Sequence, residues 1–228
     1  MTMLSHELLQ AWRESVSDTQ KPYLWSDAET YRFMDDAYFM FARLTGGIGD
    51  FESPEMEVEV RAGEKLADLH PSILRITGAT LRSTGHPVEV INFTDMGRLT
   101  TQDYGGRAKV RDFDLPGRVT HMVTGLSQGR VKLIMVPVED DIIDLTGYRL
   151  PLCHITGDGQ QLRDVSVYHH PRLMHWMSYL AYSKQDADAF DPRKAEFHKS
   201  EFEAYCAQVQ REWERYKHKN RVVAYGGL

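Results

Sequence analysis

Apolar residues recur at helical spacing near both ends of this chain and at alternating spacing through its middle. Leu8, Leu9, Trp12 and Val16 mark a short first helix, with Ser5 as its expected cap. Ser26 and Glu29 have the S-x-x-E spacing of a capping box and head a stronger helix. Its apolar face runs through Tyr31, Met34, Tyr38, Phe41 and Leu44, widened by Phe33, Ala37 and Met40. So wide a stripe implies contacts on more than one side. Gly46-Gly47 ends it. Far along the chain, Pro171 opens a second helical pattern on Leu173, Trp176, Met177 and Leu180. That pattern halts in an acidic joint, Lys184–Ala189, and Asp191-Pro192 starts another helix as N-cap and N1. Phe202, Tyr205, Val209, Trp213 and Tyr216 give this last helix an aromatic face, and the basic stretch Arg215–Arg221 suits its negative pole. A short apolar run, Val222-Val223-Ala224-Tyr225, follows with no local partner.

Between the helical ends the period changes. Met56, Val58 and Val60 alternate with Glu57, Glu59 and Arg61, the pattern of a half-buried strand. Leu74, Ile76 and Leu81 continue it, and Val88, Val90 and Ile91 predict another strand. Thr94–Thr101 reads as a short helix and Gln102–Asp114, with Gly105-Gly106, as a mobile loop. Val119, His121 and Val123, a Gly125–Gly129 turn, then Val131, Leu133 and Met135 spell a hairpin. Ile142–Tyr148 and Arg149–Ile155 supply one or two further strands. The expected fold is α+β: a helical bundle made by the N-terminal and C-terminal helices, with a small antiparallel β-sheet inserted. The expected divisions are N-terminal helices over 1–50, the β insertion over 51–165, the C-terminal helical pair over 166–220 and an extended tail over 221–228.

Composition narrows the function. With 228 residues, 42% hydrophobic and 26% charged, the chain can bury a proper core. A net charge of -6 argues against a dedicated nucleic-acid binder, although not against a protein that surrounds DNA without gripping it. Cys153 and Cys206 fall in separate elements and outside any CxxC, which fits a reducing compartment. Met1–Ala11 has neither the basic start nor the long apolar run of a signal peptide, and no window is apolar enough to span a membrane.

The search for catalytic chemistry comes back empty. His154, His169, His170, His175 and His198 crowd the C-terminal half, but His170 and His175 are five apart and fall on different helix faces. The paired acids Asp35-Asp36 and Asp140-Asp141 read as solvated, and the Asp186/Asp188/Asp191 group as the end of one helix and cap of the next. No G-x-S-x-G occurs, and Gly46-Gly47-Ile48-Gly49-Asp50 lacks the Lys-Ser/Thr of a phosphate loop. No cofactor is expected. Aromatics outside the main stripes (Tyr23, Trp25, Tyr225) and the apolar run Val222–Tyr225 instead suggest an interaction protein.

The order of elements and several phrases resemble the head-to-tail adaptor (connector, or tail tubular protein A-like) family of tailed bacteriophages. These phrases are WSDAETYRFMDDAYFMFA, LADLHPSILRITGATL, GRVKLIMVPVEDDIIDLTGYRLPL, LMHWMSYLAYSKQDADAFDPRKAEFHKSEFEAYC and the closing RVVAYGG. The resemblance implies a non-enzymatic virion protein, made soluble in the host cytoplasm. It would form a homo-oligomeric ring, typically a dodecamer, at the head-tail junction. Its partners would be the portal protein above, a tail or nozzle protein below and its own copies, with DNA passing through unbound and no membrane contact. By analogy Arg221, Val222, Val223, Ala224 and Tyr225 would dock on the portal. A ring needs two different complementary faces, and Tyr31, Tyr38, Phe41 and Trp213 are the expected contributors. Glu55–Glu59 and Glu139–Asp144 are candidates for lumen-facing charge, with a solvated sheet face as the alternative reading. Two other readings are another phage neck or tail-completion protein, and a metal-dependent hydrolase built on His170 or His175.

Overall fold

A computed structural model describes residues 3–95, 101–102, 108–109, 115–185 and 189–217. The chain divides into two compact units, Met1–Gly46 with Pro151–Leu228, and Gly47–Leu150. The class is mixed α+β.

The first unit holds α1 (Ser5–Ser15), α2 (Asp27–Leu44), α3 (His170–Ser183) and α4 (Pro192–Lys217). α3 packs against α2 and α4, and α1 touches α2 and α3. Ser5 does not cap α1 but begins it. Buried there, its hydroxyl donates to the Gly157 carbonyl at 2.8 Å and accepts from the Gln160 N–H at 3.1 Å. Ser26 does cap α2, accepting the Glu29 N–H at 3.3 Å. The other half of the expected capping box is missing, because the Glu29 carboxylate pairs with Lys184 Nζ at 2.8 Å. Asp191 caps α4 by accepting the N–H groups of Arg193 and Lys194 at 3.2 and 3.1 Å. The inward stripes of the helices, with Trp12, Met34, Phe41, Leu173, Met177 and Phe202 among them, share one core. Two polar anchors register the helices: Trp12 Nε1 donates to Ser178 Oγ at 3.0 Å, and Trp176 Nε1 to Asp36 at 2.6 Å.

Of the one or two strands expected over Ile142–Ile155 a single one forms, and it ends at Arg149. Pro151 has no N–H to extend a ladder, and Ile155, Leu162 and Val165 join the helical core instead.

The second unit is not one antiparallel sheet but two small sheets on a common core. The strands are β1 (Ile48–Asp50), β2 (Glu57–Val60), β3 (Leu66–Asp68), β4 (Ile73–Leu81), β5 (Glu89–Asn92), β6 (Thr101–Gln102), β7 (Ala108–Lys109), β8 (His121–Ser127), β9 (Arg130–Ile134) and β10 (Asp141–Arg149). β10 lies between β4 on one edge and both β1 and β2 on the other, all antiparallel. The second sheet runs β3-β9-β8-β5, and β5 lies parallel to β8. A parallel neighbour needs a long crossover, and the stretch between Asn92 and His121 supplies it. Val58, Val60, Leu81 and Ile143 of the first sheet meet Ala67, Met122, Val131 and Leu133 of the second. The predicted Thr94–Thr101 helix and Gln102–Asp114 loop fall largely outside the described residues; within them, β6 pairs with β7.

Two glycines are required by close approach. Gly47 has φ +95°, and a Cβ there would stand 2.9 Å from the Cβ of Tyr148. A Cβ on Gly147 would stand 2.2 Å from the Arg75 carbonyl oxygen, at an irregularity where β10 crosses β4.

Candidate functional site

Strand register brings the two acidic runs together. Ile143 lies opposite Val58, and both are fully buried. Side chains alternate along a strand, so Glu57 and Asp144, which also lie opposite each other, are on the outer face with Glu59. Arg82 closes this face, donating from Nη2 to Glu57 Oε1 at 2.7 Å and to the Asp144 carboxylate. Arg61 reaches Glu59 at 3.3 Å. In the neighbouring turn Asp140 accepts the Ala62 N–H at 2.8 Å and Asp141 accepts the Ser83 hydroxyl at 2.6 Å. Burial pushes the Asp141 carboxyl up, but the Ser83 hydroxyl, the N–H groups of Ile142 and Ser83 and the Arg82 charge outweigh it and hold the group below its ordinary value. The exposed pairs contribute little stability. Their number matters more: Glu57, Glu59 and Asp144 share the outer face with Arg61 and Arg82, and at its end Glu139, Asp140 and Asp141 lie beside Arg118. Beside β2 a groove of about 490 Å³ adds Glu55, Glu64 and Asp68, with Arg61 and His70 at its wall. Such a surface repels a polyanion.

The aromatic residues expected at a subunit joint are placed differently. Tyr31, Tyr38 and Phe41 are 8%, 2% and 1% exposed, so the helical unit's own core uses their area. The Tyr38 hydroxyl also accepts the Asp164 N–H at 2.8 Å, and burial raises its pKa. Trp213 is partly buried against that core, its ring near His169. The open face of α2 carries Arg32 and Arg43, with half-buried Phe39 and Met40 between them, along a groove of about 610 Å³. Asp35, in that groove, is occupied by His154 and by the Ile155 N–H, each at 2.8 Å. Arg221–Tyr225 lies outside the described residues.

Several large apolar residues are exposed. Tyr168 (85%) and Phe197 (57%) stand out on the helical unit, Phe51 (67%) and Val138 (61%) on the β unit. Sequence reasoning missed Arg82, because a cation just past a strand's end gives no sign that it bridges two other strands. It also missed Phe51, which stands exposed just past the end of β1.

The structure separates the histidines proposed as metal ligands. His170 is buried with Nε2 bonded to the Val165 carbonyl at 2.9 Å, whereas His175 faces His198. Among the described residues no group of three or more His, Cys, Asp or Glu is placed to hold a metal ion. Burial pushes the Cys206 thiol up to about 12, so it is not a thiolate at neutral pH. No helix among the described residues is long and apolar enough to cross a membrane.

A family model described as SU10 adaptor protein matches residues 3–223. No curated protein matches the chain.

Proposed function

The chain belongs to the SU10 adaptor protein family, and on that premise we propose that it is a phage virion protein that forms a ring between portal and tail around the DNA channel. The observation that carries this reading is the extent of the match, which takes in both the helices and the sheets. Under this proposal α1 to α4 form a four-helix bundle, the sheets are an insertion within it, and residues 221–228 are an arm that docks on the portal. Subunit contacts use surface left open by the core: the Arg32–Arg43 face of α2 on one side and the region around Trp213 on another. A closed ring of identical subunits requires two such unlike faces.

The acidic face of β2 and β10 lines the channel in this reading. A basic wall would hold phosphates by releasing their counterions; an acidic one lets the duplex pass. Electron microscopy of the purified chain mixed with cognate portal rings tests the proposal. An extra ring on the portal is expected, and bare portals at saturating chain concentration would refute it.

A further inference from the structure

His175 of α3 and His198 of α4 face each other through their Nδ1 atoms at 3.1 Å, with ring centroids 5.3 Å apart. His198 is stacked on Tyr182 at an interplanar angle of 13°. A cavity of about 140 Å³ adjoins the pair, lined by Ser15 and Val16 at the end of α1 and by Met174 and Ser178 of α3. Two ring nitrogens at this distance share one hydrogen. In the neutral pair one ring donates from Nδ1 and the other accepts. One added proton leaves that bond in place, because the charged ring still donates. A second added proton removes the acceptor and puts two charges in contact.

We propose that the His175–His198 pair is a proton-counting latch: it closes α4 on α3 with one hydrogen between the rings, and double protonation releases the first turns of α4. The surrounding groups set its direction. Burial comes first in holding both rings below the ordinary histidine value; Arg172 adds to it at His175, and His175 itself and Lys194 add to it at His198. Glu201 on α4 pulls the other way and offsets them only in part. Ser15 and Val16 bring no titratable group to the cavity, and Lys194 also lies over the Tyr182 ring at 5.1 Å. Two cations against one carboxylate make this a poor seat for a divalent metal, which leaves the proton as the ligand.

Groups that bind protons less well when packed contribute stability above their unpacked pKa of about 6.5, and lose it as pH falls below that value. The latch is therefore closed at neutral pH and opens in acid. It is independent of the ring reading.

Two measurements on the full chain test it. In an NMR titration of the histidine rings, His175 and His198 should titrate as a coupled pair whose second step lies below 6.5. Independent titration of both rings near 6.5 would overturn the proposal. Amide exchange, corrected for its intrinsic pH dependence, should speed up by about tenfold in residues 192–200 between pH 7.5 and pH 5, relative to residues 205–212. In His198→Gln, which keeps a hydrogen-bonding amide but takes no second proton, the acceleration should vanish. Equal acceleration in the variant would overturn the latch, and so would a titration that changes on adding EDTA, which would put a metal ion between the rings. The NMR titration uses the unmodified chain and stands even if the variant does not fold.

Discussion

Asp50 and Arg149, ninety-nine residues apart, form a buried ion pair where the β unit begins and ends. Their side chains are 10% and 9% exposed. Asp50 also accepts the Ser53 hydroxyl at 2.6 Å and the N–H groups of Glu52 and Ser53, and Arg149 Nη1 donates to the Leu150 carbonyl at 3.0 Å. Beside them β1 lies against β10, with Asp50 opposite Gly147. The pair thus ties the first strand of the unit to its last.

Removing Asp50 takes away the carboxylate that pairs with the buried Arg149 guanidinium. Asp50→Ala should destabilise the β unit by about 3–5 kcal/mol, read as a lower urea midpoint for that unit. Burial pushes the Asp50 carboxyl up, but the Ser53 hydroxyl, Arg149 and the Glu52 and Ser53 N–H groups hold it well below its ordinary value. A carboxylate depressed in this way stabilises the fold above its unfolded pKa of about 4 and loses that contribution as pH falls further. The deficit of Asp50→Ala should accordingly be full at pH 7 and shrink in acid. An unchanged deficit at low pH would assign the loss to packing.

Arg13 plays the matching part in the helical unit. It reaches Asp18 at 2.5 Å, Asp27 at 2.6 Å and the Trp25 carbonyl at 2.8 Å, and lies 3.8 Å over the Tyr23 ring. Arg13→Ala should cost about 3–5 kcal/mol, because Asp18 is left buried without its cation. Asp27→Asn should cost about 1 kcal/mol or less, since Asp27 is largely exposed. Denaturant midpoints of the two variants give the comparison, and equal losses would contradict it.

Gly147→Ala should damage the β unit more than an alanine at Gly63. The Gly147 Cβ would overlap the Arg75 carbonyl, whereas Gly63 has open space around it and only its φ of +80° to strain. The expected loss is about 2 kcal/mol or more at Gly147 and about 1 kcal/mol at Gly63, from thermal or urea unfolding.

How far the chain's architecture could be read in advance depended on the range of the forces involved. Helix positions followed from local periodicity and caps: Ser26 and Asp191 cap where their spacing says. β2, β4 and the β8–β9 hairpin announced themselves by alternation. β1 and β3, three residues each, are too short for a period to show, and β5 is parallel because of a partner far along the chain. The broad face of α2 correctly implied contact on several sides, but spacing alone could not tell whether the partner is another helix or another subunit. For Tyr31, Tyr38 and Phe41 it is the chain's own core. The convergence of Glu57 with Asp144 depends on strand register, and a bridge such as Arg82 leaves no trace in local pattern.

If the acidic face keeps DNA moving, reversing its charge should make it hold DNA. Glu59→Lys with Glu139→Lys should give the isolated chain a salt-sensitive affinity for duplex DNA, seen by fluorescence anisotropy, and the unmodified chain should show none. Binding by both forms, or by neither, would remove the acidic face from the account.

The most direct test of the adaptor proposal is the mass of cognate portal rings after mixing with the full chain and with a chain lacking Val222–Leu228. The account predicts that the full chain adds a complete ring of subunits, while the truncated chain stays folded and adds none. Portals that gain no mass from the full chain would contradict the adaptor reading, and normal loading of the truncated chain would contradict its docking arm.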